Sequence, residues 1–460
     1  MRIRGWVGVL LLLCVSTGVF AAGTLVYEQG SKASAMAGAF VAQADDPSAV
    51  FYNPAGIVFQ QGMQFSVNMT YINADVKFKS ATLGTFKNNA KNFFIPAVFF
   101  TMPITDKITF GLSSTAPYNL ATDWSDSFPG RFASRHSKIV TYDIRPVLAF
   151  RINERQAVSV GLDYYDCRIN LIRSLNTSAL STAVNPNRLP SPPFPPGIPL
   201  YSYSEGSVDT HLRDQAWGFN LGYLYKNAPW SVGLFYHSKP TFNFKGHTSI
   251  EVDPKLAPYS AAFASQEVKL DLNAVPANAR FGVAYNGDPL TVEFDVTWQQ
   301  WSSWGRSTAH FSNPTFFFGT PVVEDETFVF DWKDSYTYRL GFNYKMNDNY
   351  NMYWGILFDQ GPVPDETRNP TLPDEDRWSL TFGTGYHKGN FALDWYAMYL
   401  KWKKANITAT NMFRYGETGL PLVVVPVYGQ LYPTTYPIQG NDSHYNGVAY
   451  LFGIQFSYKF

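Results

Sequence analysis

Charge is scarce in this chain. Asp, Glu, Lys and Arg make up 16% of 460 residues, with 36 basic and 36 acidic side chains. That balance excludes a basic field of the kind that phosphate backbones require, so no nucleic-acid partner is expected. Cysteine is nearly absent, at two residues. Cys14 falls in the N-terminal apolar stretch, which leaves Cys167 alone in the remainder and excludes a disulfide scaffold. No run of about 18 apolar residues occurs beyond the N-terminus, so no transmembrane helix is expected. Ligand spacing is missing too. The seven histidines stand in no register with cysteine or carboxylate, so no metal is expected. No glycine-rich phosphate loop or nucleophile elbow is present, so neither a cofactor nor an enzyme is expected.

What is abundant is aromatic: 29 Tyr, 37 Phe and 12 Trp, or 17% of the chain. Tyr and Phe suit half-buried strands, and Tyr and Trp also favour membrane interfaces. The N-terminus reads as a secretory signal over 1–21. Arg2 and Arg4 precede the apolar stretch Val7 to Val15, and Val19-Phe20-Ala21 closes it with cleavage after Ala21.

Beyond it, apolar residues recur every second position. Tyr450, Phe452, Ile454, Phe456, Tyr458 and Phe460 oppose Leu451, Gly453, Gln455, Ser457 and Lys459. The same alternation runs through 217–225, 290–298 and 336–345, which places the two sets on opposite strand faces. The connections alternate as well. Short Gly/Pro/Asn/Asp turns, such as Pro103-Ile104-Thr105-Asp106 and Asn286-Gly287-Asp288-Pro289, interleave with long loops near 80–90, 117–136, 175–209, 247–264, 313–324, 361–375 and 411–444. Short periplasmic turns and long extracellular loops are the habit of outer-membrane barrels. Six turns and seven loops join fourteen strands, starting near 63, 90, 106, 137, 156, 210, 229, 265, 289, 325, 349, 376, 390 and 445. The expected fold is all-β: a 14-stranded antiparallel transmembrane barrel over 61–460.

Residues 22–60 break this pattern. They are rich in small side chains, with helical character from Ala33 to Gln43 and a second helix start at Asp46-Pro47, where Asp46 caps. From the pattern alone, a plug inside the barrel and a periplasmic tail are equally open.

Several stretches resemble the FadL family of outer-membrane transporters of hydrophobic compounds. They are Ala22-Gly23 through Glu28, Ala44-Asp45-Asp46, Asn53-Pro54-Ala55-Gly56, Asn119 through Trp124, Trp298 through Trp304, Trp332-Lys333-Asp334 to Gly341, Gly361 through Arg377, and the closing strand. The resemblance implies an N-terminal hatch with short helices, 22–60, filling the lumen. It implies capture of a hydrophobic small molecule at the extracellular loops and lateral release through an inward kink of the third strand. The hatch residues Asn53, Pro54 and Ala55 are expected against that kink, which maps to Ser113, Ala116, Pro117 and Asn119. A ligand pocket is expected around Thr24, Leu25 and Tyr27. Long-chain fatty acids, alkanes and aromatic hydrocarbons all fit as substrates. Where the family carries a basic ligand-binding residue, this chain has Phe328, a departure that leaves open a neutral substrate, such as an aromatic hydrocarbon, instead of an acid.

Other features carry less. Arg173, at the loop end of a strand, is a candidate for meeting a carboxylate, with Arg188 and Arg213 nearby. The proline-rich loop 175–209 reads as a roof carrying Leu189, Phe194, Ile198 and Leu200. Trp298, Trp301 and Trp304 read as interfacial girdle residues. The expected partners are outer-membrane lipid and lipopolysaccharide, with the chain acting as a monomer. A solute porin and a barrel lipase or protease (Ser137 and His136 being in a loop region) are the rival readings.

Overall fold

The alternation along the last strand is realised as a wall with a lipid side and a lumen side. In the computed structural model, Tyr450, Phe452, Ile454, Phe456, Tyr458 and Phe460 are exposed, while Leu451, Gly453 and Gln455 are buried. The structure describes residues 23–81, 83–175, 205–317, 320–407, 425–427, 430–432 and 443–460. The signal segment and most of the proline-rich loop, including Arg188, lie outside the described residues.

Fourteen antiparallel strands form one closed sheet. They are β1 (Gln64–Ser80), β2 (Asn92–Thr105), β3 (Ile108–Thr115 and Asn119–Asp123), β4 (His136–Asn153), β5 (Gln156–Leu175), β6 (Gly206–Asn227) and β7 (Trp230–His237 and Phe244–Glu251). Then follow β8 (Gln266–Leu270 and Asn278–Asn286), β9 (Leu290–Gln299 and Arg306–Phe311), β10 (Glu326–Val329 and Ser335–Lys345), β11 (Tyr350–Asp359), β12 (Arg377–Lys388), β13 (Phe391–Trp402) and β14 (His444–Lys459). The register Gln64↔Lys459 through Lys79↔His444 zips β1 to β14 and closes the ring. A closed ring leaves no open edge in lipid, the condition for a sheet to span a membrane. Every strand begins within a few residues of the start read from the turn pattern. The end carrying the long loops is called the upper end below.

Residues 23–60 fold inside the ring, and nearly all are buried. Helix α1 (Ser31–Ala35) is far shorter than the expected Ala33–Gln43. It stops because Ala37 and Gly38 take positive φ (58° and 81°), with the Gly38 N–H returning to the Ala33 carbonyl at 2.8 Å. A side chain at Gly38 would meet the Tyr27 ring at 2.7 Å, so glycine suits both the turn and the packing. Helix α2 (Ala49–Tyr52) follows, then a 3₁₀ turn over Pro54–Phe59. Helix α2 starts later than expected, with Ser48 and not Asp46 at its N-cap; Asp46 instead holds the turn before it, its carboxylate accepting from the Ser48 N–H (2.8 Å) and hydroxyl (2.5 Å).

An irregular, buried chain of this kind must find partners for its backbone groups. The wall supplies them with charge. Asp295 accepts from Phe40 N–H (2.8 Å) and Val41 N–H (3.1 Å), and Glu293 from Ala42 N–H (2.6 Å) and Gln43 N–H (3.1 Å). Arg145 and Arg280 both donate to the Phe51 carbonyl, at 3.2 and 2.8 Å, and Lys226 to that of Gln43 at 3.0 Å. Charged side chains on the lumen side of the wall therefore seat residues 23–60.

Candidate functional site

The third strand is interrupted where Pro117 removes a donor from the ladder. Pairing of β2 with β3 ends at Val98↔Ser114. Above that point β2 continues to Asn92 against β1, while the upper limb of β3 pairs with β4 from Asn119↔Val140 to Asp123↔His136. The two edges meet again at the top, where Asn89 N–H donates to the Asp123 carbonyl at 2.7 Å. Between these limits the β2–β3 ladder has a gap in its backbone hydrogen bonding among the described residues. Ala116, Pro117, Tyr118 and Asn119 are all buried there, drawn toward the lumen.

What satisfies the interrupted strand is the start of the lumen segment. Val26 N–H donates to the Pro117 carbonyl at 2.6 Å, and Asn119 N–H to the Thr24 carbonyl at 2.8 Å. Leu25 thereby faces Tyr118 in a short antiparallel bridge. Gln29 adds a side-chain clasp. Its amide nitrogen donates to the Ala116 carbonyl, and its amide oxygen accepts from Ala116 N–H, both at 3.3 Å. Residues 24–29 thus act as a surrogate strand for the part of β3 that has left β2.

This corrects the expected position of Asn53. Its amide donates instead to the carbonyls of Val41 (2.9 Å) and Tyr223 on β6 (3.0 Å), and its oxygen accepts from Ala55 N–H at 3.3 Å. Asn53 caps the 3₁₀ turn that begins at Pro54 and Ala55, and so packs that turn on the wall rather than on the kink. Ser113 lies just below the break with its side chain buried. Tyr118 reaches across the lumen, with its hydroxyl 2.9 Å from His237 Nε2 and 3.4 Å from the Asn278 amide. Gln29, Tyr118 and His237 escape sequence reasoning, since their partners lie 87 and 119 residues away and no short motif encodes such pairs.

At the upper end a cavity of about 630 Å³ opens among β4, β5, β6, the upper limbs of β8, β9 and β10, and the loop after β11. Ile139, Ile169, Leu212, Leu270, Phe328 and Trp304 are among its apolar lining. Arg173 and Arg306 also line it. Arg173 is paired with Glu326 at 2.9 Å, so the candidate cation is present but already meets a carboxylate. Arg213 belongs elsewhere: it is exposed on the outer face, paired with Asp166. The ligand pocket expected around Thr24–Tyr27 is not where this cavity lies. Thr24, Leu25 and Tyr27 are buried in packing, with Arg339 4.0 Å above the Tyr27 ring.

Between cavity and kink stands an aromatic wall. Trp301 and Trp304 are buried, which overturns their reading as girdle residues. The strand stops at Gln299, and a short 3₁₀ turn (Trp301–Ser303) carries both rings inward. Trp304 stacks on Trp332 with centroids 4.5 Å apart and meets Trp301 edge-on at 5.6 Å. Trp298, still on the strand, is half-buried and bonds Asp334 at 3.1 Å. Trp301 in turn abuts Gly23, where an added Cβ would fall 2.3 Å from the indole. Gly23 N–H donates to Asp374 at 2.9 Å, and the Trp402 indole N–H reaches the same carboxylate at 3.3 Å. Burial pushes the Asp374 carboxyl up to about 7. The cavity, the Trp cluster, Gly23 and the β3 break are therefore contiguous. His136 and Ser137 both line the cavity, but each has another partner, His136 with Asp123 at 3.7 Å and Ser137 with the Ser134 hydroxyl at 2.7 Å.

A family model described as "Outer membrane protein transport protein (OMPP1/FadL/TodX)" matches residues 12–460. The long-chain fatty acid transport protein of Salmonella typhi is 28% identical over 363 residues, which cover 75% of this chain and 78% of that protein. Among solved structures, that of a Pseudomonas aeruginosa FadL homologue aligns with a TM-score of 0.76 at 20% identity, covering 95% of this chain and all of the other (100%). The P. putida toluene transporter TodX aligns at 0.66 with 14% identity, over 94% and 98% of the two chains. At such identity these two likenesses concern the fold.

Proposed function

This chain belongs to the OMPP1/FadL/TodX family of bacterial outer-membrane transport proteins, and on that premise we propose that it is a monomeric channel for passive uptake of hydrophobic small molecules. Capture takes place in the upper cavity. Release is lateral, through the β2–β3 gap, once the hatch segment Thr24–Gln29 lets go of the kink. The domain division follows from this: a signal segment 1–21, a hatch 22–60 and a barrel 61–460. The observation that carries the reading is that the wall's interrupted ladder is completed by hatch backbone, so that one local movement would open a route into lipid.

The chemistry favours that route. Burial of an apolar chain is worth about 0.8 kcal/mol per CH₂, or roughly 10 kcal/mol for a twelve-carbon chain. A substrate released into aqueous periplasm would forfeit that energy, whereas one passed through the wall into the bilayer keeps it. The substrate class is apolar and compact enough for the 630 Å³ cavity. Glu326 on Arg173 and the phenyl ring of Phe328 support a neutral molecule, such as the toluene named for one structural relative, over an acid such as the fatty acids named for the curated ones.

The test is a lock. Leu25 and Tyr118 face each other as a non-hydrogen-bonded antiparallel pair, for which Cα atoms lie about 4.5 Å apart, within disulfide range. A Leu25→Cys/Tyr118→Cys protein, in a Cys167→Ser background, is oxidised and assayed for uptake of a labelled aromatic hydrocarbon and a labelled long-chain fatty acid. Uptake falls by about tenfold or more and returns on reduction, if release requires this bridge to part. Undiminished uptake with the bond formed overturns the lateral gate. A planar-bilayer trace with steady ion conductance would instead support the porin reading.

A further inference from the structure

The outer face at the upper end of β5 to β9 carries a row of cations set by strand register. Arg168 on β5 stands directly opposite Arg213 on β6. Arg213 stands opposite Lys245 on β7, and Lys245 opposite Lys269 on β8. Lys269 stands opposite His310 on β9. All five are exposed. At about 4.8 Å per strand the row spans roughly 19 Å around the barrel.

Its height is as telling as its charge. Four residues below Arg213 on the same face is Trp217, which is 63% exposed and packs its ring 4.9 Å from Tyr164. Exposed Phe219, Leu221 and Leu234 continue downward. This is the aromatic-then-aliphatic order of a membrane interface. Four residues of a strand tilted by about 40° rise roughly 10 Å, which lifts the row from the girdle to the headgroup level of the outer leaflet.

Carboxylates are interleaved with the row but, among the described residues, leave its two lysines unbridged. Asp166 bonds Arg168 (3.1 Å) and also Arg213, holding the two guanidinium groups side by side. His310 is paired with Asp325 at 2.7 Å, and the exposed Glu267 and Asp271 flank Lys269 on either side. Lys245 and Lys269 form no ion pair among the described residues.

We propose that the Arg168–Arg213–Lys245–Lys269 row is a binding site for the phosphate groups of lipopolysaccharide in the outer leaflet. Guanidinium groups match phosphate oxygens in a two-toothed fashion, and flanking ammonium groups add charge at the same depth. The site docks an anionic glycolipid beside the broken strands β7 to β9, outside the substrate path.

The test uses the full-length protein purified from membranes in mild detergent, stripped of lipid and titrated with bisphosphorylated lipid A. The comparison protein is Arg168→Gln/Arg213→Gln/Lys245→Gln/Lys269→Gln. Wild type retains lipid A about tenfold or more better than the variant, and prefers it over dephosphorylated lipid A. Equal retention by the two proteins overturns the site, as does equal retention of dephosphorylated lipid A by wild type. Inorganic pyrophosphate is the third probe. If it binds as tightly as lipid A, the row is a soluble-anion site and the proposal fails. Folding is followed by heat-shifted gel migration. If the fourfold variant does not fold, Lys245→Gln/Lys269→Gln decides alone, with a smaller loss expected and no loss overturning the proposal.

Discussion

The wall of this barrel has two characters. From β11 through β14 to β1 the strands run unbroken, and each pairs with its neighbours along its length. Their lumen faces are trimmed to admit the hatch: Gly341 on neighbouring β10, Gly355 and Gly383 sit where a Cβ would fall within about 3 Å of Met36, Ala37 or Ala35. From β7 to β10, and again at β3, every strand is interrupted, and the breaks hold Pro117, Pro240, Pro276 and the Trp301–Trp304 turn. The smooth half takes the hatch by close packing, whereas the broken strands β8 and β9 hold its backbone through Arg280, Glu293 and Asp295 and, with β3 to β6, frame the cavity, the aromatic wall and the gap. A closed sheet tolerates such breaks only where hatch or loop backbone meets the loosened groups, and that is why the surrogate strand at Thr24–Gln29 and the break at Pro117 occur together.

Four substitutions would break or sharpen this contrast. The largest effect is expected for Trp304→Ala, which removes a fully buried ring from the broken half. It lowers unfolding free energy by about 3–5 kcal/mol, whereas Trp378→Ala, half-exposed to lipid in the smooth half, changes it much less. Parallel denaturant titrations of the two variants check the asymmetry, and similar losses would erase it. Next is Gly383→Val, which crowds Ala35 and the Trp395 carbonyl. Overpacking costs about 1–3 kcal/mol, and the unseated hatch should show as added ion leak in bilayer recordings.

Asp374→Asn comes third and is read through pH. With its carboxyl pushed up to about 7 by burial, the folded protein holds a proton that the unfolded chain releases near pH 4. The group's contribution is therefore fully present below about pH 4 and lost as pH rises toward 7. The melting-temperature difference between wild type and Asp374→Asn should shift against wild type over that window. A pH-independent difference would show that Gly23 is not held by a titrating group. The smallest effect is expected for Glu326→Gln, which removes the negative charge that faces Arg173 in the cavity wall. Uptake should tilt toward a carboxylate-bearing substrate by about fivefold, the scale of one partly exposed ion pair. Competition between a fatty acid and its methyl ester checks it.

Much of the smooth half could be read directly. Two-residue alternation and the short-turn, long-loop rhythm located fourteen strand starts, because lipid on one side and a filled lumen on the other enforce period two at every position. The broken half misled at particular residues. Trp301 and Trp304 continue an aromatic pattern in sequence, yet the 3₁₀ turn after Gln299 turns them inward. Asn53 sits in a family-like motif but spends its amide on Val41 and Tyr223, while the kink is held by Gln29, which no motif marks. Arg173, Arg188 and Arg213 look alike in the chain. Register sends Arg213 to the lipid face and Arg173 to the cavity, and Arg188 lies outside the described residues.

The sequence by itself determined the closed antiparallel ring, its strand count and the outer-membrane setting, since these follow from local periodicity and from the absence of any other way to cross a bilayer. Only the tertiary structure decided which backbone groups the hatch completes, which tryptophans leave the wall and which cations meet carboxylates. Those outcomes depend on pairings across tens to hundreds of residues, chosen by the geometric need to satisfy buried polar groups, and local pattern holds no record of them.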